Sequence, residues 1–167
     1  MRRPLAAALL AAAPLAFAQL GTQDPDWKEV DAPPPPQLRL DKLVEIELPR
    51  TQLRYGIDPA SISVGKDGIV RYVAVATSSS GAVNAMYEGI RCGTGEVKVY
   101  ARHNPGTGWK AVPGADWRPI QDPPFRHSLY FARHGACIDH LPGRSAPEIL
   151  RELKADPERR FITDSAR

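Results

Sequence analysis

The sequence predicts an α+β domain in which an antiparallel β meander carries one or two short helices packed on one face. Two observations lead to this prediction. Between residues 41 and 112, short alternating or valine-rich segments are separated by turn signals rich in glycine, serine and asparagine. After Pro124, apolar residues fall near helical spacing instead. A succession of short strands joined by tight turns favours antiparallel pairing, because each turn reverses the chain.

The strands follow in order from these patterns. Apolar and polar residues alternate from Leu43 to Leu48, and Pro49 ends that strand. After a short strand at Ser61–Val64, the run Gly65-Lys66-Asp67-Gly68 predicts a turn into a central strand over Ile69–Thr77. Further strands are predicted over residues 82–92, 96–102 and about 109–112.

Two helices are predicted in the last third of the domain. The first runs from Phe125 into Cys137, with Leu129, Tyr130 and Phe131 near helical spacing. The second begins at Ser145, because Ser145 and Glu148 have the spacing of a capping box. The single domain is therefore predicted to span residues 41–155, with a frayed tail at 156–167.

Residues 1–18 have the features of a cleavable secretory signal peptide. Arg2 and Arg3 precede an apolar stretch of mostly alanine and leucine, which ends in Ala16-Phe17-Ala18. Small residues at 16 and 18 are the type that signal peptidase reads. The apolar stretch is too short for a stable membrane anchor, and no later segment is apolar enough to span a bilayer. We therefore expect an exported, periplasmic protein that begins at Gln19.

Residues 19–40 are predicted to form a proline-rich linker or strap ahead of the domain. The run Pro33–Pro36 favours an extended polyproline conformation without internal hydrogen bonds. Trp27 is expected to hold this segment against the domain. The run could also be a ligand for a proline-binding module, but one short run is a weak recognition signal.

Charge and motif content narrow the possible partners. Without residues 1–18 the chain has 22 − 2 = 20 basic residues against 19 acidic ones, a net charge of +1. This balance gives no electrostatic basis for binding nucleic acid. The sequence contains no glycine loop of the kind that cradles phosphate, so no cofactor is expected. The expected partner is an envelope protein or a small ligand.

The chain has two cysteines, Cys92 and Cys137. In an exported protein an even pair predicts a disulfide, and the closed loop of about 45 residues would contribute roughly 4 kcal/mol of stability. The alternative is a zinc site, since His134, Cys137 and His140 are evenly spaced by three residues. That alternative requires a free Cys137 thiolate, for which Cys92 competes, so no metal is predicted.

One pair of charges is predicted to lie across a hairpin. If Ser78–Gly81 form a four-residue loop, Thr77 faces Ala82 and Arg71 lies directly opposite Glu88. Opposite charges facing each other on neighbouring strands contribute roughly 0.2–1 kcal/mol. This register also places the pair on an otherwise apolar face, so it predicts either a structural ion pair or a polar anchor in a ligand cleft.

The middle of the chain resembles the CNP1-like family of exported proteobacterial proteins. The resemblance is most specific in the runs DGIVRY (67–72), SGAVN (80–84), YEGIRC (87–92) and VYA (99–101). Trp109, Trp117 and Cys137 stand where the later tryptophans and cysteine of that family are expected. The resemblance extends from residue 41 to about 140, outside the proline run. It implies a small exported protein and supplies no catalytic residues.

The favoured function is a non-catalytic envelope binding or interaction module. Trp109 and Trp117 are the candidate aromatic surface for such a role. The alternative is a small periplasmic hydrolase that uses Glu88 with a histidine, and a third possibility is a structural protein without a small-molecule site. A cleft that joins Glu88 to a histidine would favour the enzyme, and an open surface without such a cleft would favour binding.

Overall fold

The computed structural model describes residues 26–155, which are built around one antiparallel sheet of eight strands. The predicted signal peptide and tail lie outside the described residues. The strands of the sheet are β1 (Val44–Ile46), β2 (Arg54–Ile57), β3 (Ser63–Val64), β4 (Ile69–Thr77), β5 (Val83–Arg91), β6 (Glu96–Asn104), β7 (Gly108–Ala111) and β8 (Arg118–Pro119). The other elements are a small hairpin of β9 (Cys137–Ile138) and β10 (Leu141–Pro142), and the helices α1 (Arg126–Phe131) and α2 (Ala146–Lys154).

The sheet has the order β1-β2-β4-β5-β6-β7, with β3 paired to β4 and β8 paired to β6. Its centre consists of β4, β5 and β6, each nine residues long and joined in sequence by short turns. Valine, isoleucine and tyrosine dominate these strands, which suits a pleated sheet buried on both faces. The predicted α+β meander is confirmed.

Strand β2 was not predicted, because the segment Arg54–Ile57 shows no clear alternation of apolar and polar residues. Its Gly56 has a packing reason. A Cβ atom at this position would lie 2.9 Å from the Cβ of Leu43, so only glycine leaves room for that leucine. Both β2 and β3 pair with β4, and Ser61 lies between them in the chain. The backbone N–H of Val73 in β4 donates to the hydroxyl of Ser61 at 2.7 Å, so this part of β4 also has a partner.

The two helices pack on one face of the sheet, as predicted. The helix-side core includes Tyr72 and Ile90 from the sheet, Phe131 from α1 and Ile149 from α2. The rings of Tyr72 and Phe131 lie 4.6 Å apart between centroids. Burying each large apolar side chain of this core contributes about 1.5–3 kcal/mol to stability.

The first predicted helix is shorter than expected. It ends at Phe131 and continues as a single π turn, Ala132–Ala136, in which His134 and Gly135 have non-helical dihedral angles. A Cβ atom at Gly135 would lie 2.7 Å from the carbonyl oxygen of Ile149. The close approach of α2 therefore requires glycine at this position, and the chain turns there into β9.

The opposite face of the sheet is covered by residues 26–40, called the strap here. The strap-side core beneath it consists of Val73, Val75, Ala85, Tyr87 and Ala101. Ala32 and Leu38 of the strap pack against this core. The strap has no strand pairing with the sheet, and side chains such as Arg71 and Trp109 hold its backbone in place.

The hairpin of β4 and β5 corrects the predicted register. Thr77 pairs with Val83, so five residues rather than four lie in the serine loop. Two features explain the longer loop: Ser78 bonds Ala82 through both its backbone N–H and its hydroxyl, and Gly81 has a φ of +84°. Because strand side chains alternate between faces, a shift of one residue puts Arg71 and Glu88 on opposite faces. The predicted Arg71–Glu88 pair is wrong.

Candidate functional site

Glu88 lies at the centre of a buried polar cluster on the helix side of the sheet. Its side chain is 0% exposed. The hydroxyls of Tyr72 and Ser128 donate to its Oε2 at 2.7 and 2.9 Å, and Nε2 of His127 lies 3.0 Å from Oε1 and 3.1 Å from Oε2. Tyr72 comes from β4, while His127 and Ser128 come from α1. The cluster therefore joins the helix layer to the sheet.

The electrostatics of the cluster favour an ionised carboxylate. Burial raises the pKa of Glu88, but attraction to His127 and hydrogen bonds from His127, Tyr72 and Ser128 outweigh this effect and leave the pKa below its ordinary value. Burial and the charge of Glu88 raise the pKa of Tyr72 well above its ordinary value. Since a carboxylate can only accept, Nε2 of His127 carries the proton and donates to it.

The arrangement has no activated nucleophile. The Ser128 hydroxyl donates to Glu88 rather than to His127, so the pairing of nucleophile and base that covalent catalysis needs is not formed. Nδ1 of His127 has no hydrogen-bond partner among residues 26–155, and the ring of Tyr55 stacks on that histidine at 5.0 Å with an interplanar angle of 7°. His127 is only 2% exposed, so substrate has no open path to it.

Four surface clefts do not reach the buried pair directly, although Tyr55, which stacks on His127, lines two of them. None of four clefts, with volumes of about 230 to 410 Å³, is lined by Glu88 or His127. Glu88 does contact a histidine, as the alternative of a hydrolase requires, but none of these four clefts joins the two residues. The histidine is His127, which the sequence alone does not distinguish from His134 because both follow Pro124 at helical spacing.

Arg71 forms its ion pair with Asp67 on the strap side of the sheet. Nη2 of Arg71 lies 2.7 Å from Oδ2 of Asp67, and both side chains are almost fully buried. The same nitrogen donates to the carbonyl of Val30 in the strap at 2.9 Å. Burial raises the pKa of Asp67, but hydrogen bonds from Arg71 and from two backbone N–H groups outweigh it and hold the pKa below its ordinary value. The partner that sequence reasoning missed lies in the Gly65–Gly68 turn, four residues before Arg71.

The candidate aromatic residues both contact the strap. The indole N–H of Trp109 donates to the carbonyl of Pro36 at 2.8 Å. The indole N–H of Trp117 donates to Oε2 of Glu29 at 3.1 Å, and its ring meets that of Trp27 edge-on at 6.4 Å. Trp109 and Trp117 are half-buried and hold different parts of the strap.

The predicted disulfide between Cys92 and Cys137 is confirmed. It attaches the hairpin of β9 and β10 to the end of β5, and the two Cα atoms are 5.6 Å apart. Because Cys137 is bonded to sulfur, the alternative zinc site with His134 and His140 has lost its thiolate. No group of three potential metal ligands occurs among residues 26–155.

The small hairpin carries the most exposed apolar side chains of its region. Ile138 and Leu141 face each other as a cross-strand pair and are 45% and 67% exposed. The two residues between them, Asp139 and His140, have φ angles of 49° and 65°, as a tight two-residue hairpin turn requires. Non-glycine residues adopt this conformation at a cost in energy, so the surrounding structure must hold the turn.

A cleft of about 410 Å³ opens beside this hairpin. Its lining combines apolar side chains from three parts of the chain with polar groups of the hairpin: Ile90, Ile120, Leu129, Arg133, Asp139 and His140 contribute, among others. A smaller cleft of about 230 Å³ lies against Ile138. The hairpin therefore lines part of both clefts, and its exposed pair of Ile138 and Leu141 is called the ridge here.

Comparison with known proteins gives one family. The model of the CNP1-like family matches residues 22–154, whereas searches of curated proteins and of solved structures found no significant match. The match begins before the strap, so the expectation that the resemblance starts at residue 41 and leaves out the proline run is corrected. No helix among residues 26–155 is long and apolar enough to cross a membrane. Because this match covers most of the chain, the chain belongs to the CNP1-like family.

Proposed function

We propose that the chain is an exported, periplasmic protein that acts as a non-catalytic binding module, with the hairpin of β9 and β10 as its contact surface. The observation that carries the proposal is the exposed pair of Ile138 and Leu141 on a ridge beside a cleft of about 410 Å³. Contact surfaces bind best when an apolar centre is presented by a rigid element next to a pocket.

The hairpin is held rigidly for such a contact. Cys137 ties its first strand to β5, and the backbone N–H of Gly143 donates to the carbonyl of Ala136 at 2.9 Å just after its second strand. A preformed contact surface loses less conformational entropy on binding than a mobile loop. The positive φ angles of Asp139 and His140 are consistent with strain kept at a functional position.

Charged residues of both signs surround the hairpin. Arg133, Asp139 and Glu152 line the smaller cleft, and Arg144 is exposed just after β10. We expect the partner to be an envelope protein that inserts an aliphatic or aromatic side chain into the larger cleft and places a carboxylate near Arg144. Charge complementarity of this kind speeds association and selects the partner.

The alternative, a hydrolase that uses Glu88 with a histidine, has less support. Glu88 and His127 do form a hydrogen-bonded pair, but both are buried and the nearby hydroxyls already donate to the same carboxylate. A general base has to reach the proton that it removes. The cluster is better explained as a polar link that holds α1 on the sheet.

Site-specific photo-cross-linking in the native host tests the proposal. A photoreactive amino acid at Leu141 should give one discrete protein adduct, and the same substitution at Leu53, which is also exposed, should not. In the same chain, Ile138→Asp or Arg144→Glu should remove the adduct while leaving the melting midpoint within about 2 °C, since exposed substitutions have small effects. Identical adducts from both positions, or adducts unchanged by Ile138→Asp, would refute the proposed surface.

Export has a separate test. The mature protein recovered from the periplasm should have the intact mass of a chain that starts at Gln19 and contains one disulfide. Recovery from the cytoplasm with Arg2 and Arg3 still present would contradict the proposed location without bearing on the hairpin.

A further inference from the structure

The strap is bound in the way that proteins bind a separate extended peptide. It forms no strand pair with the sheet, and its backbone is held by side chains: Trp109 donates to the carbonyl of Pro36, and Arg71 donates to that of Val30. Indole N–H donors and aromatic surfaces are the usual means of binding polyproline segments, which are already extended and lose little entropy on binding.

Glu29, close to the start of the strap, makes several polar contacts. The carboxylate of Glu29 lies 3.0 Å from Nζ of Lys98, and it accepts hydrogen bonds from Tyr100 at 2.9 Å and Trp117 at 3.1 Å. Near the start of the strap, the guanidinium of Arg91 stacks on the Trp27 ring at 3.7 Å. These groups hold the carboxylate of Glu29 and the ring of Trp27, and Trp109 holds the end of the proline run.

A β-bulge in β6 lies at this site. Glu88 of β5 pairs with Val99 and Tyr87 pairs with Ala101, so Tyr100 is the extra residue between them. The bulge switches the orientation of the strand, because Val99 faces the helix side and Ala101 faces the strap side. The bulge therefore puts two successive residues, Tyr100 and Ala101, on the strap side, where Lys98 also lies.

The connection between the strap and the domain is short and exposed. Leu40, Asp41 and Lys42 are exposed and form a turn before β1. Arg39, next to this turn, is held by a single ion pair of 3.5 Å with Asp58. Fully extended, these four residues would span roughly 13 Å, at about 3.3 Å per residue.

We propose that the strap-bearing face is an interface between two copies of this chain, formed when each copy inserts residues 26–40 into the site of the other. The partner's strap makes every contact that the chain's own strap makes, so the exchange leaves the contacts unchanged and alters only the turn at residues 40–42. The high effective concentration of a tethered strap favours the monomer at low protein concentration, and rising concentration favours the exchanged dimer.

A charge-swapped pair of full-length variants tests the exchange. In Glu29→Lys the new strap ammonium faces the ammonium of Lys98, and in Lys98→Glu the new sheet carboxylate faces that of Glu29, so like charges oppose each other within each copy. In the mixed dimer, the Lys98→Glu chain inserts its Glu29 into the site that still has Lys98. The Glu29→Lys chain inserts its new lysine into the site that has the new glutamate. Opposite charges therefore face each other in both sites. We expect the mixture to form a heterodimer whose apparent dissociation constant is at least tenfold lower than that of two differently tagged wild-type chains. The matched control, the chain that carries both substitutions, restores the pair internally and should stay monomeric.

Two outcomes would overturn the proposal. The first is that both variants fold but their mixture stays monomeric at the protein concentration used for the tagged wild-type chains. The second is measured by hydrogen exchange on the wild-type chain and decides the question if either variant fails to fold. The proposal is overturned if the amide of Val30, which donates to Asp67, exchanges no faster than the amides of β4. A strap that leaves only on global unfolding cannot be exchanged.

Discussion

Tyr72 and Glu88 face each other across the two central strands, and the phenol hydroxyl of Tyr72 donates a hydrogen bond of 2.7 Å to Oε2 of Glu88. With His127 and Ser128 also donating, the carboxylate accepts from three side chains in a fully buried position. Such a group is well stabilised when all its partners are present and unfavourable when one is removed.

Glu88→Gln should therefore destabilise the fold strongly. The amide removes the charge that attracts His127. It also places an N–H₂ donor among side chains that are themselves donors. The free energy of unfolding should fall by about 3–5 kcal/mol, as for a disrupted buried ion pair. Urea unfolding would measure it. Glu45→Gln is the matched control, because Glu45 lies exposed on β1 and should change stability by less than about 0.5 kcal/mol. Equal effects of the two substitutions would contradict the role given to the cluster.

Stability should fall as the solution is acidified. The folded-state pKa values of Glu88, Asp67 and Glu29 all lie below their ordinary values, which are 4.5 for glutamate and 3.8 for aspartate. A lowered pKa stabilises the fold above the unfolded pKa, and this contribution is lost as pH falls through the folded pKa. The melting midpoint should therefore decline below about pH 4.5. A midpoint that rises on acidification would contradict these directions.

The ion pair of Arg71 should couple to Asp67 and not to Glu88. A double-mutant cycle with Arg71→Met and Asp67→Asn should give an interaction energy of about 1–3 kcal/mol, because the two side chains are in contact. A cycle with Arg71→Met and Glu88→Gln should be additive within about 0.5 kcal/mol, since these side chains lie on opposite faces. Strong coupling in the second cycle would restore the register of the four-residue loop.

Removal of the disulfide should lower stability without changing the sheet. The replacement of both Cys92 and Cys137 by serine frees a loop with a sequence separation of 45, for which chain entropy predicts a loss of roughly 4 kcal/mol. Thermal unfolding would show a lower midpoint. If the hairpin depends on the disulfide for its position, the photo-cross-link from Leu141 should weaken in this variant even below its melting midpoint.

The long central strands could be predicted because their signals are local. Ile69–Thr77 is valine-rich and preceded by a glycine turn, and its observed bounds are those predicted. The serine loop was misread because its extra residue, Ala82, has no turn signal of its own. One residue in that loop changed the partners of Arg71 and Glu88, since the side chains of a strand alternate between two faces.

Other features depend on contacts between distant segments. Strand β2 is short and has Gly56 where an alternating pattern would need a side chain. Glycine is required there because Leu43 packs against that position. The π turn Ala132–Ala136 replaces the end of a predicted helix, because Gly135 must approach α2, and the hairpin of β9 and β10 follows it. Asp139 and His140 carry no glycine signal for their turn, so the exposed pair of Ile138 and Leu141 could not be predicted from the sequence.

The affinity of the cross-linked partner for two matched variants tests the central claim most directly. Leu141→Asp places a charge on the exposed ridge, and Leu53→Asp places the same charge on an exposed position outside the hairpin. With the partner purified, calorimetry should show at least tenfold weaker binding for Leu141→Asp, unchanged binding for Leu53→Asp, and equal melting midpoints for both. Equal affinities of the two variants for the partner would contradict the assignment of the hairpin as the binding surface.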